Sequence, residues 1–372
     1  MNKQVIILLL FSIQASSQNA KFPKLKISVP CNQEFLNNYK GKWLISDPGS
    51  FSGPNHNYTQ GAMSRINQVR ELVKQTYPQP MGSDAYWSSA YRKVNFGDKI
   101  KYVTEDDRTV RESITSTQVE GWVCSLNLFA WMCNQNPNEI WNGYPEAGGG
   151  NAITVQANTL QILTGELMDD NGWTVDGRPI KRKMPVVGNW KGYDIMATNG
   201  GVYAQQNDEY YILISRNNTL PYIPVTKKQY LDRAIAYAAK FYDKQIAISA
   251  NIPDKAERDE AQNRNLKTKN NAVKKLQEEL EKTIQDGLQD SAAVVGTDLL
   301  LMNPGRIFLP EKDGGIMLAT DNPDYFRKEL PSYIPQLFVL SWMWGTDKWC
   351  TDFKHAIEEN FPVERLKTMI DK

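Results

Sequence analysis

The chain has 372 residues, with 43 Lys plus Arg against 42 Asp plus Glu and a formal net charge of +1. That balance excludes the basic footprint of a nucleic-acid binder and any strong attraction to anionic lipid. The 10 Trp and 17 Tyr admit two readings, a heavily aromatic core or the stacking surfaces of a carbohydrate binder.

Residues 1–17 begin with a short basic start, continue as VIILLLFSI, and end in small residues, with Ala15 and Ser17 at the −3 and −1 positions of a cleavage site. The apolar run is about half of the ~20 residues that a membrane-spanning helix needs. A signal peptide is predicted, with a mature chain that is periplasmic or secreted and not inserted in the membrane after cleavage. The first cysteine, Cys31, lies well past the cut, so no lipid anchor is expected. Export permits disulfides among Cys31, Cys124, Cys133 and Cys350. Two bridges and four buried thiols are the competing readings. Cys124 and Cys133 are an odd step apart, which sends them to opposite faces of a strand, so they pair only if the chain turns between them.

Ser46 to Gly61 is rich in Ser, Gly, Pro and Asn and reads as an exposed loop. Met63, Ile66, Val69 and Val73 then recur at helical spacing, and Pro78 and Pro80 end that helix. From about residue 100 to 225 the texture is β. Strands are predicted at Thr109–Trp122, Ile153–Leu163, Trp173–Lys183, Val202–Ala204 and Tyr210–Ser215. Turn signals separate them at Asp169–Gly172, Val175–Arg178, Asn199–Gly201 and Arg216–Asn218.

The stretch LPYIPVTKKQYLDRAIAYA, Leu220 to Ala238, marks a strand-to-helix joint. Its prolines hold the chain extended. Thr226 and Gln229 form a capping box, and Val225 and Tyr230 take the positions of a hydrophobic staple. Leu231, Ile235, Ala238, Tyr242 and Ile246 mark one face of the helix that follows. A second helix runs from about Asp254 to Gln289, with a narrow apolar stripe at Val273, Leu276, Leu280, Ile284 and Leu288. A short proline turn between the two makes an antiparallel hairpin that packs on the protein's own sheet. Short strands follow after residue 292, then a strongly aromatic strand at Gln336–Trp344 and an amphipathic helix from Asp352 to Ile370. The expected fold is α+β: an antiparallel β-meander with a long helical hairpin and a C-terminal helix. Residues 18–225 supply the first helix and strands and 226–291 the hairpin insertion. Residues 292–372 are expected to complete the same domain.

The joint LPYIPVT and the later NPDYFRKELPSYIPQLFVL, Asn322 to Leu340, resemble segments of uncharacterised exported proteins of Gram-negative bacteria. The resemblance implies a secreted or periplasmic setting. It brings no reaction and no catalytic residues.

Phosphate-loop, dinucleotide-binding, zinc-protease and EF-hand patterns are missing, and Gly49–Gly53 fails as a nucleophile elbow because its centre is Phe51. His56 and His355 are the only histidines, so any Ser–His or Cys–His mechanism must use one of them. His56 lies in the predicted loop. Cys350 and His355 are five residues apart, which leaves them about 140° apart on a helix. The acids Glu105–Asp107 and Asp169–Asp170 fall in turns, and Glu146–Asn151 reads as a flexible turn. Trp342 and Trp344 share one face of their strand. They are core if buried and the candidate ligand-binding residues, a sugar platform, if exposed. No metal and no cofactor are expected. The function expected is a non-catalytic binding or envelope-associated module whose partner is a glycan or another envelope protein. The alternative is a carboxylate-dependent hydrolase acting on envelope or polysaccharide substrate.

Overall fold

The computed structural model describes residues 24–45, 60–105, 108–142, 151–166, 174–197, 209–216, 219–284, 287–295 and 307–372. The predicted leader, the predicted strand Val202–Ala204 and the turns at 169–172 and 199–201 lie outside them.

The N-terminal block is β1 (Lys24–Lys26), α1 (Gln33–Asn38) and β2 (Trp43–Ile45), followed by the helix α2 (Gln60–Thr76). Next come two long strands, β3 (Ser83–Glu105) and β4 (Arg108–Cys133), then β5 (Glu139–Asn142), β6 (Asn151–Ala157) and β7 (Leu163–Glu166). Short strands follow: β8 (Thr174–Val175), β9 (Arg178–Pro179), β10 (Lys181–Lys183), β11 (Val186–Trp190), β12 (Tyr193–Ala197), β13 (Glu209–Ser215) and β14 (Tyr222–Pro224). The helices α3 (Lys227–Ser249) and α4 (Lys255–Ile284) form the hairpin. The chain closes with β15 (Ala293–Val294), β16 (Ile316–Asp321), β17 (Leu337–Met343), α5 (Lys348–Asn360) and α6 (Val363–Lys367).

The main sheet runs β3–β4–β6–β17–β13–β12–β11 and is antiparallel along that path. Consecutive strands are neighbours in β3–β4 and in β11–β12–β13, while β17 is inserted between β6 and β13. Its sequence explains the central place: LFVLSWM is apolar on both faces, and six of its residues are fully buried (Leu337 to Trp342). A second sheet runs β14–β16–β10–β7, with β15 also on β16.

One face of the main sheet is covered by helices. Trp87, Cys124, Leu126, Val155, Leu340 and Trp342 pack there with Ile66, Val69 and Val73 of α2 and Phe353 and Ile357 of α5. Each such fully buried aliphatic or aromatic side chain contributes roughly 1.5–3 kcal/mol. The opposite face is covered over part of its area by the second sheet. There Val339, Tyr211 and Met196 meet Met184, Tyr222 and Ala319.

The joint before α3 forms as its residues predict. Thr226 Oγ1 accepts from the Gln229 amide at 3.2 Å, and Gln229 Oε1 accepts from the Thr226 amide at 2.9 Å. Val225 and Tyr230 are both buried in the cluster that seats the hairpin on the second sheet, with Leu231, Leu276, Val294 and Leu318.

Several expectations are corrected. No element is predicted between the leader and residue 60, yet β1, α1 and β2 form there, and β3 begins at Ser83 rather than near residue 100. Ser and Ala at its buried positions, Ala85 and Ser89, hide the alternation that normally announces a strand. The predicted strand 153–163 breaks at Asn158, whose φ of 56° is tolerated because its side chain is fully used. Nδ2 donates to the Glu120 and Ile334 carbonyls and Oδ1 accepts from the Gln336 amide. The segment 173–183 divides into β8, β9 and β10. Asp176 and Gly177, with φ of 52° and 80°, make the two-residue turn that Val175–Arg178 predicts. The last helix is interrupted at Phe361–Pro362, since proline has no amide to continue the ladder.

The cysteines combine the two readings. Cys31 and Cys133 form a disulfide with Cα atoms 5.5 Å apart, and Cys124 and Cys350 are buried thiols outside it. Cys124 faces the helices. Cys133, an odd step later on the same unbroken strand, cannot reach it.

Candidate functional site

The connection from β10 through β11 to β12 builds a cleft where the two sheets meet α6. Lys191 and Gly192, with φ of 52° and 87°, turn the chain in two residues. The turn sets Lys191 Nζ 3.0 Å from the carbonyls of Glu359 and Phe361 at the end of α5, where the helix dipole favours a cation. Trp190 Nε1 donates to the Glu358 carbonyl at 2.8 Å. These bonds fix the last two helices against the sheet edge, and Tyr193 then donates its hydroxyl to Glu364 Oε1 at 2.9 Å.

The resulting cleft holds about 360 Å³, within the range of small-molecule sites. Met196 and Leu213 form an apolar floor, Tyr222 of β14 forms a wall, and Lys183, Asp194, Glu364 and Lys367 supply charge around it. Lys183 is buried, and its Nζ lies 3.1 Å from Glu311 Oε1 and 3.4 Å from the Met184 carbonyl. Glu311 also accepts from the Val186 amide at 3.4 Å. Burial, then the nearby charges of Glu311 and Asp194, push the Tyr222 phenol up to about 12. Tyr193 is also raised, by burial and by its bond to Glu364. Both phenols are therefore neutral at physiological pH. Lysines and carboxylates both line the cleft, which suits neither a bare anion nor a bare cation.

A larger groove of about 680 Å³ lies between α2 and α6, with Met63, Leu72 and Met369 below a polar rim. It is a broad, open trough between packed helices. The smaller cleft brings more charged and phenolic groups together and is the better site.

The structure brings Trp342 and Trp344 together but not as a platform. Trp342 is 1% exposed, its ring centroid is 5.0 Å from Trp190 and 5.7 Å from Tyr210, and its Nε1 donates to Glu358 Oε1 at 3.4 Å. Trp344 is half-buried against Tyr210, with Lys354 Nζ 4.4 Å from its ring centroid. Of the two alternatives, Trp342 takes the core place, because α5 packs over that face of β17, and Trp344 packs half-buried against the same cluster. Cys350 is buried while His355 is exposed on the same helix, so they form no dyad. The Cys124 thiol is raised well above its ordinary value by burial, which makes it inert. His56, the segment Gly49–Gly53, Asp106, Asp107, Asp169, Asp170 and residues 146–150 lie outside the described residues.

The cleft residues escaped the sequence reading because they come from β10, β12, β14 and α6, and only folding collects them. One signal was present. The pair Lys191–Gly192 between Trp190 and Tyr193 is a two-residue hairpin turn, visible from its glycine alone.

Among the described residues no helix is long and apolar enough to cross a membrane. No protein-family model, curated protein or solved structure matches this chain.

Proposed function

We propose that the mature chain is an exported, non-catalytic binding protein of the cell envelope that takes a small polar molecule, neutral or zwitterionic, in the cleft walled by Tyr222. The observation that carries this reading is the pairing of an apolar floor, Met196 and Leu213, with opposed charges around one cavity. A ligand bearing both charge signs, or hydroxyls in their place, satisfies such walls without leaving a buried charge unpaired. The Cys31–Cys133 bridge is compatible with the oxidising compartment that export provides.

The test is calorimetric titration with free amino acids, amino sugars and disaccharides, paired with thermal unfolding. A ligand at a hundred times its Kd should stabilise the protein by about 2.7 kcal/mol. Tyr222→Phe and Asp194→Asn should weaken its binding. Failure of every compound to bind, or equal binding by both variants, would overturn the assignment.

One observation favours the hydrolase as a second reading. Asp194 of β12 and Glu364 of α6, far apart in sequence, both border the cleft. Turnover of an oligosaccharide that disappears in Asp194→Asn and Glu364→Gln would replace binding with catalysis.

A further inference from the structure

Half of the polar side chains that line the cleft are already used by the protein itself. Lys183 pairs with Glu311, and Lys191 gives its ammonium to the Glu359 and Phe361 carbonyls. Tyr193 and Glu364 bond to each other. Four groups of the lining remain: the Asp194 carboxylate, the Lys367 ammonium and the hydroxyls of Ser215 and Tyr222. Among the described residues none of these four has a hydrogen bond or an ion pair. Lys367 Nζ lies 5.8 Å from the Tyr193 ring centroid.

Tyr222 is only 8% exposed. A phenol so buried is costly to leave without a partner, and this one stays protonated at physiological pH. Asp194 and Glu311 both act on it, which sets its hydroxyl near the carboxylates of the cleft. Tyr193 and Asp194 are consecutive on β12 and so face opposite sides of that strand. Lys367 stands by Tyr193 and Asp194 by Tyr222, so the two charges reach the cavity from different sides and do not neutralise each other. The apolar part of the lining is Val186, Met196, Leu213 and Leu220. Val186 and Leu220 are 38% and 42% exposed, apolar area that an occupant would cover.

Given that the cleft is the binding site, as proposed above, we infer that its ligand is a free α-amino acid with an apolar side chain. The ammonium meets Asp194 and the Tyr222 oxygen, which can accept from it. The carboxylate meets Lys367, and the side chain lies on Met196 and Leu213 between Val186 and Leu220. One unspent charge of each sign calls for a ligand that carries one of each. A disaccharide would leave both without a counter-charge, and a simple amine or acid would leave one. The cavity of about 360 Å³ is at the small end of ligand sites, about 300–1,000 Å³, which suits a single residue.

The experiment is calorimetric titration of the full mature protein with leucine, glycine, N-acetyl-leucine, leucinamide and maltose. Leucine should bind at least tenfold tighter than glycine, which lacks the side chain. It should also bind at least tenfold tighter than N-acetyl-leucine and leucinamide, each of which lacks one charge. Asp194→Asn should weaken leucine at least tenfold and leave N-acetyl-leucine within threefold of wild type. Lys367→Gln should do the same for leucine and spare leucinamide. Neither side chain holds a bond within the protein, and circular dichroism confirms that both variants fold. Leucine no tighter than glycine or than both derivatives, or unchanged in either variant, would overturn the amino-acid assignment. Maltose binding that is lost in Tyr222→Phe would overturn it as well while leaving the cleft as the site. Leucine binding that Tyr222→Phe, Asp194→Asn and Lys367→Gln all leave untouched would overturn the cleft reading itself.

Discussion

Removing the Cys31–Cys133 bridge by replacing both residues with serine should cost about 3 kcal/mol. The bond joins positions 102 residues apart. Closing a loop of that length in the unfolded chain accounts for at most about 4.7 kcal/mol by the chain-entropy relation. The realised value should be lower, because denatured chains retain some compactness and the N-terminal block has contacts of its own. Leu25, Ile27, Phe35 and Tyr39 pack around Trp131 and Ile140, and β1 pairs with β5. At roughly 2 °C per kcal/mol for a chain of this size, the unfolding midpoint should fall by about 6 °C. The assay is thermal and urea unfolding of the two proteins followed by tryptophan fluorescence, with thiol alkylation read by mass spectrometry. In the native wild type Cys124 and Cys350 should resist alkylation because both are buried, and all cysteines should react after reduction and unfolding. An unchanged midpoint, or alkylation of Cys31 in the native unreduced protein, would refute the reasoning.

Three further perturbations test separate parts of the fold. Thr226→Ala removes the cap acceptor seen at 3.2 Å and should lower unfolding stability by about 1 kcal/mol in a urea titration. Asp84 is buried and accepts from the Lys42 amide at 2.8 Å, Trp131 Nε1 at 3.2 Å and Asn142 Nδ2 at 2.9 Å. Asp84→Ala strands those donors and should cost about 3 kcal/mol or more, and a change below 1 kcal/mol would contradict it. Burial raises the Glu209 carboxyl above its ordinary value, against the lowering effect of its bonds to Tyr211 and Ser341. The native state therefore holds that proton more tightly than the unfolded chain. Stability contributed by this group is present below the ordinary carboxylate range and is lost as pH rises through the raised folded value. Glu209→Gln should accordingly unfold at a higher temperature than wild type at neutral pH, with the two midpoints converging near about pH 4. A gap that stays constant over that range would count against it.

What the sequence disclosed depended on whether the signal was local. The start of α3 was legible because four local cues, two prolines, a capping box and a staple, coincide within a few residues. The periodicity of Met63 to Val73 likewise marked α2, and the apolar character of LFVLSWM marked β17. Its place between β6 and β13 was not legible, since partner choice rests on long-range pairing that no local cue encodes. β3 escaped because Ser and Ala occupy buried positions. The cleft was hidden for a related reason: Lys183, Asp194, Tyr222 and Glu364 are each ordinary in their own segments. Whether Trp342 and Trp344 are core or a surface stayed open until α5 was placed, because a strand's pattern shows which residues share a face but not what covers it.

The claim on which the function rests is that the cleft walled by Tyr222 binds a small polar ligand. The most direct measurement is an amide chemical-shift map of isotope-labelled protein titrated with the free amino acids and with N-acetylglucosamine. The account predicts saturable shifts centred on Lys183, Lys191 to Asp194, Tyr222 and Glu364 to Lys367. Shifts that arise elsewhere, or none up to millimolar ligand, would contradict it.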